Sequence, residues 1–159
     1  MSNATQGPLE GRFVLFVDDR PDDVYTYIDR LRKLGADVRN ERSIGRARRY
    51  LDTHPGQVHL LVIDLFFDLY SSDDLGRLDT LYGNRVERNA MNQGQLLGEH
   101  AKESKPSIPY LYLTNEADSY TGDRNEQPKR LFTKHPRDLE PFLNQARKLL
   151  DAVQVEEVQ

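Results

Sequence analysis

Cysteine is absent from the 159 residues, which excludes disulfides, thiolate metal sites and cysteine nucleophiles. No apolar run approaches the roughly 18–20 residues needed to cross a bilayer. The opening MSNATQGPLEGR lacks the apolar stretch of a secretory signal. Basic charge is also short: 22 Lys and Arg stand against 26 Asp and Glu, for a net charge of −4. That balance argues against a nucleic-acid-binding module, which concentrates basic side chains on one face. The expectation is a cytoplasmic chain with no membrane and no nucleic-acid partner. The length suits one domain with a proper core and is too short for two ordinary ones. An apolar fraction of 37% with 30% charged residues fits a small α/β domain whose helices are well solvated.

What is present alternates between two patterns. Phe13 to Val17 is a continuous apolar run, as in a strand buried on both faces, and it stops at Asp18-Asp19. Pro21 suits the first turn of a helix carrying Val24, Tyr27, Ile28, Leu31 and Leu34, with Gly35 as its C′ residue. A short strand is expected within Ala36 to Glu41. Ser43 then caps a helix with Ile44, Ala47, Tyr50 and Leu51 on one side. Val58 to Leu65 is a second buried strand, with Asp64 near its carboxyl end.

From Phe66 to about Met91 the periodicity disappears. A helix is expected over Gln95 to Glu103 and a strand over Pro109 to Thr114. The segment from Asn115 to Lys129 is polar and weakly helical, and Leu131 to Thr133 forms a short last strand before Lys134. A final helix spans roughly Arg137 to Val153, with Leu139, Phe142, Leu143, Ala146, Leu149 and Leu150 along one stripe. Five alternations of strand and helix imply a parallel sheet, wound doubly, with helices on both faces. The expected boundaries are a disordered lead-in at 1–11, one domain at 12–153 with an insertion at about 67–91, and a tail at 154–159.

In such sheets the functional crevice lies at the carboxyl ends of the strands. Those ends here carry Asp18 and Asp19, Asp64, Thr114 and Lys134. Folding would gather three carboxylates, a hydroxyl and an ammonium on one rim. Carboxylates about 4 Å apart repel by on the order of 4 kcal/mol per pair at an effective dielectric near 20. The cluster therefore needs a cation or a raised pKa. Oxygen-only ligands select a hard ion, Mg2+ first with Mn2+ as the alternative. The set suits phosphoryl transfer, in which positioning and charge neutralisation dominate and a carboxylate can act as nucleophile.

The order Asp-Asp, Asp, Thr, Lys after strands one, three, four and five resembles the receiver domains of two-component response regulators. Gln93-Gly94-Gln95-Leu96-Leu97 is similar to the Asn/Asp-Gly-x-x-Leu signature that opens their third helix. The resemblance covers about Phe13 to Val153 and implies a flavodoxin-like sheet of order 2-1-3-4-5. It also implies phosphorylation of Asp64 and metal binding by Asp18, Asp19, Asp64 and the Phe66 backbone carbonyl. Thr114 and Lys134 would hold the transferred group. The implied donor is a histidine kinase or histidine phosphotransfer protein, and the implied activity is acceptance of a phosphoryl group without enzymatic turnover. With no output domain after the last helix, a stand-alone receiver is expected. Its output would be contact with a downstream protein, a phosphorelay step or homodimerisation.

The sequence departs from the family at four places. The helix-opening glycine comes at Gly94, so the preceding loop has gained roughly twenty residues, more than ordinary loops carry. His135 separates Lys134 from Pro136. Leu131 stands where an aromatic switch residue is usual, and Asn115 replaces a small residue. Leu131 and His135 favour an alternative, a degenerate receiver that acts as an interaction module without phosphorylation. A Mg2+-dependent phosphohydrolase is a third reading, weakened because Phe66 occupies the place of its second aspartate. The insertion reads either as a lid or docking surface beside Asp64, anchored by Phe66, Phe67, Leu69 and Tyr70, or as a floppy excursion; Leu75, Leu78, Leu81 and Tyr82, which need burial, favour partial order. His54, His59, His100 and His135 lack metal-ligand spacing. Arg46, Arg48 and Arg49 are expected on a solvated helix face.

Overall fold

The computed structural model describes residues 7–65, 67, 93–115, 117–120 and 127–153. Five strands, β1 (Phe13–Val17), β2 (Asp37–Glu41), β3 (Leu60–Ile63), β4 (Tyr110–Thr114) and β5 (Leu131–Thr133), form one sheet. All neighbouring pairs are parallel and the order is β2-β1-β3-β4-β5. The connecting helices are α1 (Tyr25–Lys33), α2 (Ile44–Thr53), α3 (Gln93–Glu103), the single turn α4 (Gln127–Arg130) and α5 (Leu139–Ala152). This is the doubly wound architecture expected from the strand and helix alternation.

Side-chain parity along the strands divides the core into two layers. Val14, Phe16, Leu60, Val62, Leu111, Leu113 and Phe132 pack with Tyr27, Ile28 and Leu31 of α1 and Phe142, Leu143, Ala146 and Leu150 of α5. Leu15, Val17, Leu61, Ile63, Tyr110 and Tyr112 pack on the other face with Ile44, Ala47 and Leu51 of α2 and Leu97 and Ala101 of α3. Phe142 centres the first layer, with its ring 5.3 Å from Tyr27, 5.8 Å from Phe132 and 6.4 Å from Phe16. Burial on both faces explains why β1, β3 and β4 appear in the sequence as unbroken apolar runs.

Local chemistry sets the helix ends. Ser43 Oγ accepts from the Arg46 N–H at 3.1 Å, capping α2 as expected. Gly35, at φ +102°, ends α1: its N–H donates to Arg32 O at 2.9 Å and the Ala36 N–H donates to Leu31 O at 3.1 Å. That pair of bonds is a Schellman termination, which needs the left-handed conformation glycine adopts freely. Pro21 opens a 3-10 turn (Pro21–Val24) that leads into α1. β3 ends at Ile63, shorter than the expected Val58–Leu65, so Asp64 stands just beyond it.

The lead-in expected as disordered over 1–11 is structured from Gly7 onward. Leu9 is fully buried in the α1/α5 layer, and its N–H donates to Leu34 O at 2.8 Å. One apolar residue sufficed to dock this segment on the end of α1, a signal too local for periodicity to reveal. The insertion expected at about 67–91 lies outside the described residues except for Phe67, which is buried in the α2/α3 layer. The expected tail at 154–159 also lies outside them.

Candidate functional site

Three backbone hydrogen bonds extend the sheet ladders one residue past the strands. Asp18 N donates to Glu41 O at 3.0 Å, Asp64 N to Val17 O at 3.0 Å, and Lys134 N to Thr114 O at 3.0 Å. Each polar residue thereby keeps strand-like placement and follows a core residue by two positions: Phe16 precedes Asp18, Val62 precedes Asp64, and Phe132 precedes Lys134. Period-two alternation therefore sends all three toward the α1/α5 side of the rim. Thr114 has the parity of Tyr110 and Tyr112 and stands on the α3 side, with no solvent exposure.

The sheet thus gathers the acidic side chains as expected. Asp18, Asp19 and Asp64 are all buried, and one carboxylate oxygen from each lies within 4.8 Å of the other two. Lys134 enters the same cluster. Its Nζ lies 2.8 Å from Asp18 Oδ2 and donates to Asp64 Oδ2 at 3.2 Å, and its side chain is only 4% exposed. The rest of the site orients these groups through the backbone. Asp18 Oδ1 accepts from the Arg20 N–H at 2.8 Å, Asn40 Nδ2 donates to Asp18 O at 3.1 Å, and Arg42 donates to Asp19 O at 3.3 Å.

Sequence reasoning missed Asp23, whose Oδ2 lies 3.8 Å from Lys134 Nζ. It also missed Asn40 and Arg42, which come from β2 and the turn after it. Asp23 sits one turn beyond the Asp pair, in the Pro21–Val24 segment, so the proline-initiated turn was the available signal. Asn40 and Arg42 become visible only from the β1/β2 register, which pairs Phe16 with Asn40 and Val17 with Glu41. Phe66, whose carbonyl was an expected ligand, lies outside the described residues.

The electrostatics are dominated by burial. Desolvation pushes Asp18 from 3.8 up to about 6, against the Lys134 ammonium, which favours its charged form. Burial opposes the charge on Lys134 as well, but Asp18 and Asp64 outweigh it and raise its pKa above 10.5. Three carboxylates at this separation repel by about 3 kcal/mol per pair at an effective dielectric near 20. One ammonium leaves the group two charges short of neutrality. A hard divalent cation fits this deficit and this all-oxygen donor set. Asp18, Asp19 and Asp64 could hold it.

Gly94 explains how α3 meets the site. A Cβ there would overlap the Asp64 carbonyl oxygen and lie 2.8 Å from Leu65 Cα. Only glycine lets the start of α3 lie directly on the Asp64 backbone. His135 caps the 3-10 turn Pro136–Asp138, its Nδ1 accepting from the Arg137 N–H at 3.2 Å. Asp138 in turn accepts from Thr133 N and Oγ1, at 2.9 and 2.7 Å, and so fixes the chain on the far side of Lys134.

Two predictions follow from this geometry. Asp18 contributes stability in full below about pH 3.8, and that contribution is lost as pH rises through about 6. In metal-free buffer, Asp18→Asn should remove on the order of 3 kcal/mol of pH dependence over this window. Urea unfolding of both proteins across the range checks this, and superimposable pH profiles would contradict it. Gly94→Ala should cost about 1–3 kcal/mol, because backbone rather than a flexible side chain blocks the new methyl. A variant as stable as the parent would show that α3 does not rest on Asp64.

No protein-family model and no curated protein sequence matches the chain. Solved structures do match its fold. The non-phosphorylated HemR receiver domain from Leptospira biflexa aligns over 92% of this chain and 99% of its own, at 18% identity and a TM-score of 0.59. The response regulator TrrA from Thermotoga maritima, in complex with Mg(2+)-BeF, aligns over 87% and 98% at 14% identity and 0.59. A response regulator receiver protein from Sinorhizobium medicae aligns over 91% and 98% at 19% identity and 0.55. Among the described residues no helix is long and apolar enough to cross a membrane. With sheet order, strand direction and near-complete coverage in agreement, the fold of this chain is that of the response regulator receiver domains.

Proposed function

We propose that the chain is a phosphoacceptor receiver of a two-component or phosphorelay system, modified on Asp64 in the cytoplasm. The observation that carries this reading is Lys134, held between Asp18 and Asp64 at 2.8 and 3.2 Å on the same rim as Asp19. A bound Mg2+ would supply charge neutralisation for an incoming phosphoryl group, and Asp18, Asp19 and Asp64 would hold it. Manganese has the same ligand preference. The backbone carbonyl of Phe66 is a further proposed ligand.

In the reaction an Asp64 oxygen forms a bond to phosphorus as the bond to the donor breaks, leaving an acyl phosphate. Lys134 is already within reach of the Asp64 oxygen, so its ammonium can follow the charge onto the transferred group. The Thr114 hydroxyl is assigned a second contact to that group, from the α3 side. The donor would be a histidine kinase or a histidine phosphotransfer protein, in keeping with what receivers take phosphoryl groups from. The phosphorylated state would then bias a surface read by a downstream protein or by a second copy of this chain. Turnover is not part of this role.

Acetyl phosphate with Mg2+ provides the test. A stoichiometric, base-labile adduct should form on the parent protein and be absent from Asp64→Asn, as read by intact-protein mass spectrometry. Lys134→Ala should lower the yield of adduct while leaving Asp64 available. Continuous phosphate release would instead indicate a phosphohydrolase. Complete failure to react would favour the phosphorylation-independent interaction module that Leu131 and His135 suggest.

A further inference from the structure

An unassigned cleft of about 320 Å³ lies on the opposite flank of the sheet, between the edge strand β2 and α2. Its walls are Arg39, Glu41, Arg46, Arg49, Tyr50 and Thr53. The expectation of a solvated Arg46/Arg48/Arg49 face holds only in part, because the three diverge. Arg48 Nε donates to Asp52 Oδ2 at 3.0 Å, and Asp52 Oδ1 lies 3.4 Å from His100 Nε2, so Arg48 belongs to the α2/α3 contact. Arg46 and Arg49 turn the other way, into the cleft.

The wall they face is tied together by side-chain contacts. Arg39 pairs with Glu41, with contacts of 2.7 and 3.0 Å, and its guanidinium sits 4.7 Å from the centre of the Tyr50 ring. Tyr50 is stacked in turn on His54 at 4.0 Å and on Phe13 at 5.8 Å. Thr53 Oγ1 donates to Arg49 O at 2.8 Å, which ties the last turn of α2 together. Arg39 is therefore paired with Glu41 and stacked on Tyr50, and the surplus positive charge of the cleft comes from Arg46 and Arg49.

Arg46 and Arg49 are different. Among the described residues their guanidiniums make no ion pair or hydrogen bond, although the chain has more acidic than basic side chains with which to pair them. Other arginines find partners: Arg30 with Glu140, Arg12 with Leu150 O, and Arg32 with Val38 O. Like charges three residues apart on one helix face destabilise it slightly. Two guanidiniums without a partner among the described residues, lining a concavity of this size beside the paired Arg39, form an anion site with planar donors suited to phosphate.

We infer that this cleft binds a compact phosphate-bearing small molecule. An acidic protein surface fits less well. A stable protein interface covers about 800 Å² per partner, and Asp37 and Glu41 alternate with Arg39 along the same side of β2, opposing any extended negative face. A small anion can sit against Arg46 and Arg49, clear of Asp37, while Glu41 in the wall is already paired with Arg39. None of the Asp18, Asp19, Asp64 and Lys134 side chains lines this cleft, although the Glu41 carbonyl accepts the Asp18 N–H at 3.0 Å.

Calorimetric titration of the full chain with pyrophosphate tests the assignment, in low-salt buffer containing EDTA so that the acidic rim carries no metal. Saturable binding is expected, weakened at least about tenfold in R46Q/R49Q, which removes two charge-assisted contacts. R137Q/R147Q makes the same change in net charge at exposed arginines elsewhere and should bind like the parent. Adding AMP and ATP in parallel distinguishes an inorganic anion from a nucleotide as the source of the phosphate. Equal weakening by both double variants would reduce the effect to bulk charge and overturn the site. So would absence of saturable heat, or tighter binding of a polyglutamate peptide than of pyrophosphate. Since all four arginines are exposed, circular dichroism of the variants should match that of the parent.

Discussion

The contact on which the rest depends is the Lys134 ammonium lodged between Asp18 and Asp64. Removing these groups from water costs each of them, and Asp18 shows the cost in its displacement to about 6. The lysine returns part of that cost without cancelling it, since a third carboxylate, Asp19, shares the site. A buried cluster left with surplus negative charge is poor architecture for stability alone. It is suitable architecture for a cation and a phosphoryl group.

The sheet makes this arrangement inexpensive to build. Three strands end at the same rim, and one additional ladder hydrogen bond on each carries Asp18, Asp64 and Lys134 into register. Parity then settles which way they point, with no specialised loop required. Gly94 adds a complementary constraint, since α3 can begin against the Asp64 backbone only because that position has no side chain. The two layers of apolar side chains beneath hold the strand ends fixed, Phe142 and its three aromatic neighbours on one side and the tyrosines of β4 on the other.

Much of this was legible in the sequence because the decisive signals are local. Apolar runs stopping at a polar residue located β1, β3 and β4 and, with them, Asp18, Asp64 and Thr114. Helical spacing located α1, α2 and α5, and the glycine of the α3 signature fell where the backbone approach demands it. What escaped was long-range. Asn40 and Arg42 support the Asp pair only through the β1/β2 register. Leu9 docks on α1 through a single side chain, which carries no periodicity. The divergence of Arg48 from Arg46 and Arg49 depends on which helix packs against α2, and no spacing within the helix encodes that.

Paramagnetic Mn2+ offers the most direct measurement of the charge deficit at the rim. Added at substoichiometric levels to the isotopically labelled protein, it broadens amide signals close to wherever it binds. The result expected is selective loss of the signals of Asp18 to Arg20, Asp64, Leu65 and Lys134, restored by excess Mg2+ and absent in Asp18→Asn. Broadening centred elsewhere, or none at these residues, would contradict a cation site at the convergence of Asp18, Asp19 and Asp64.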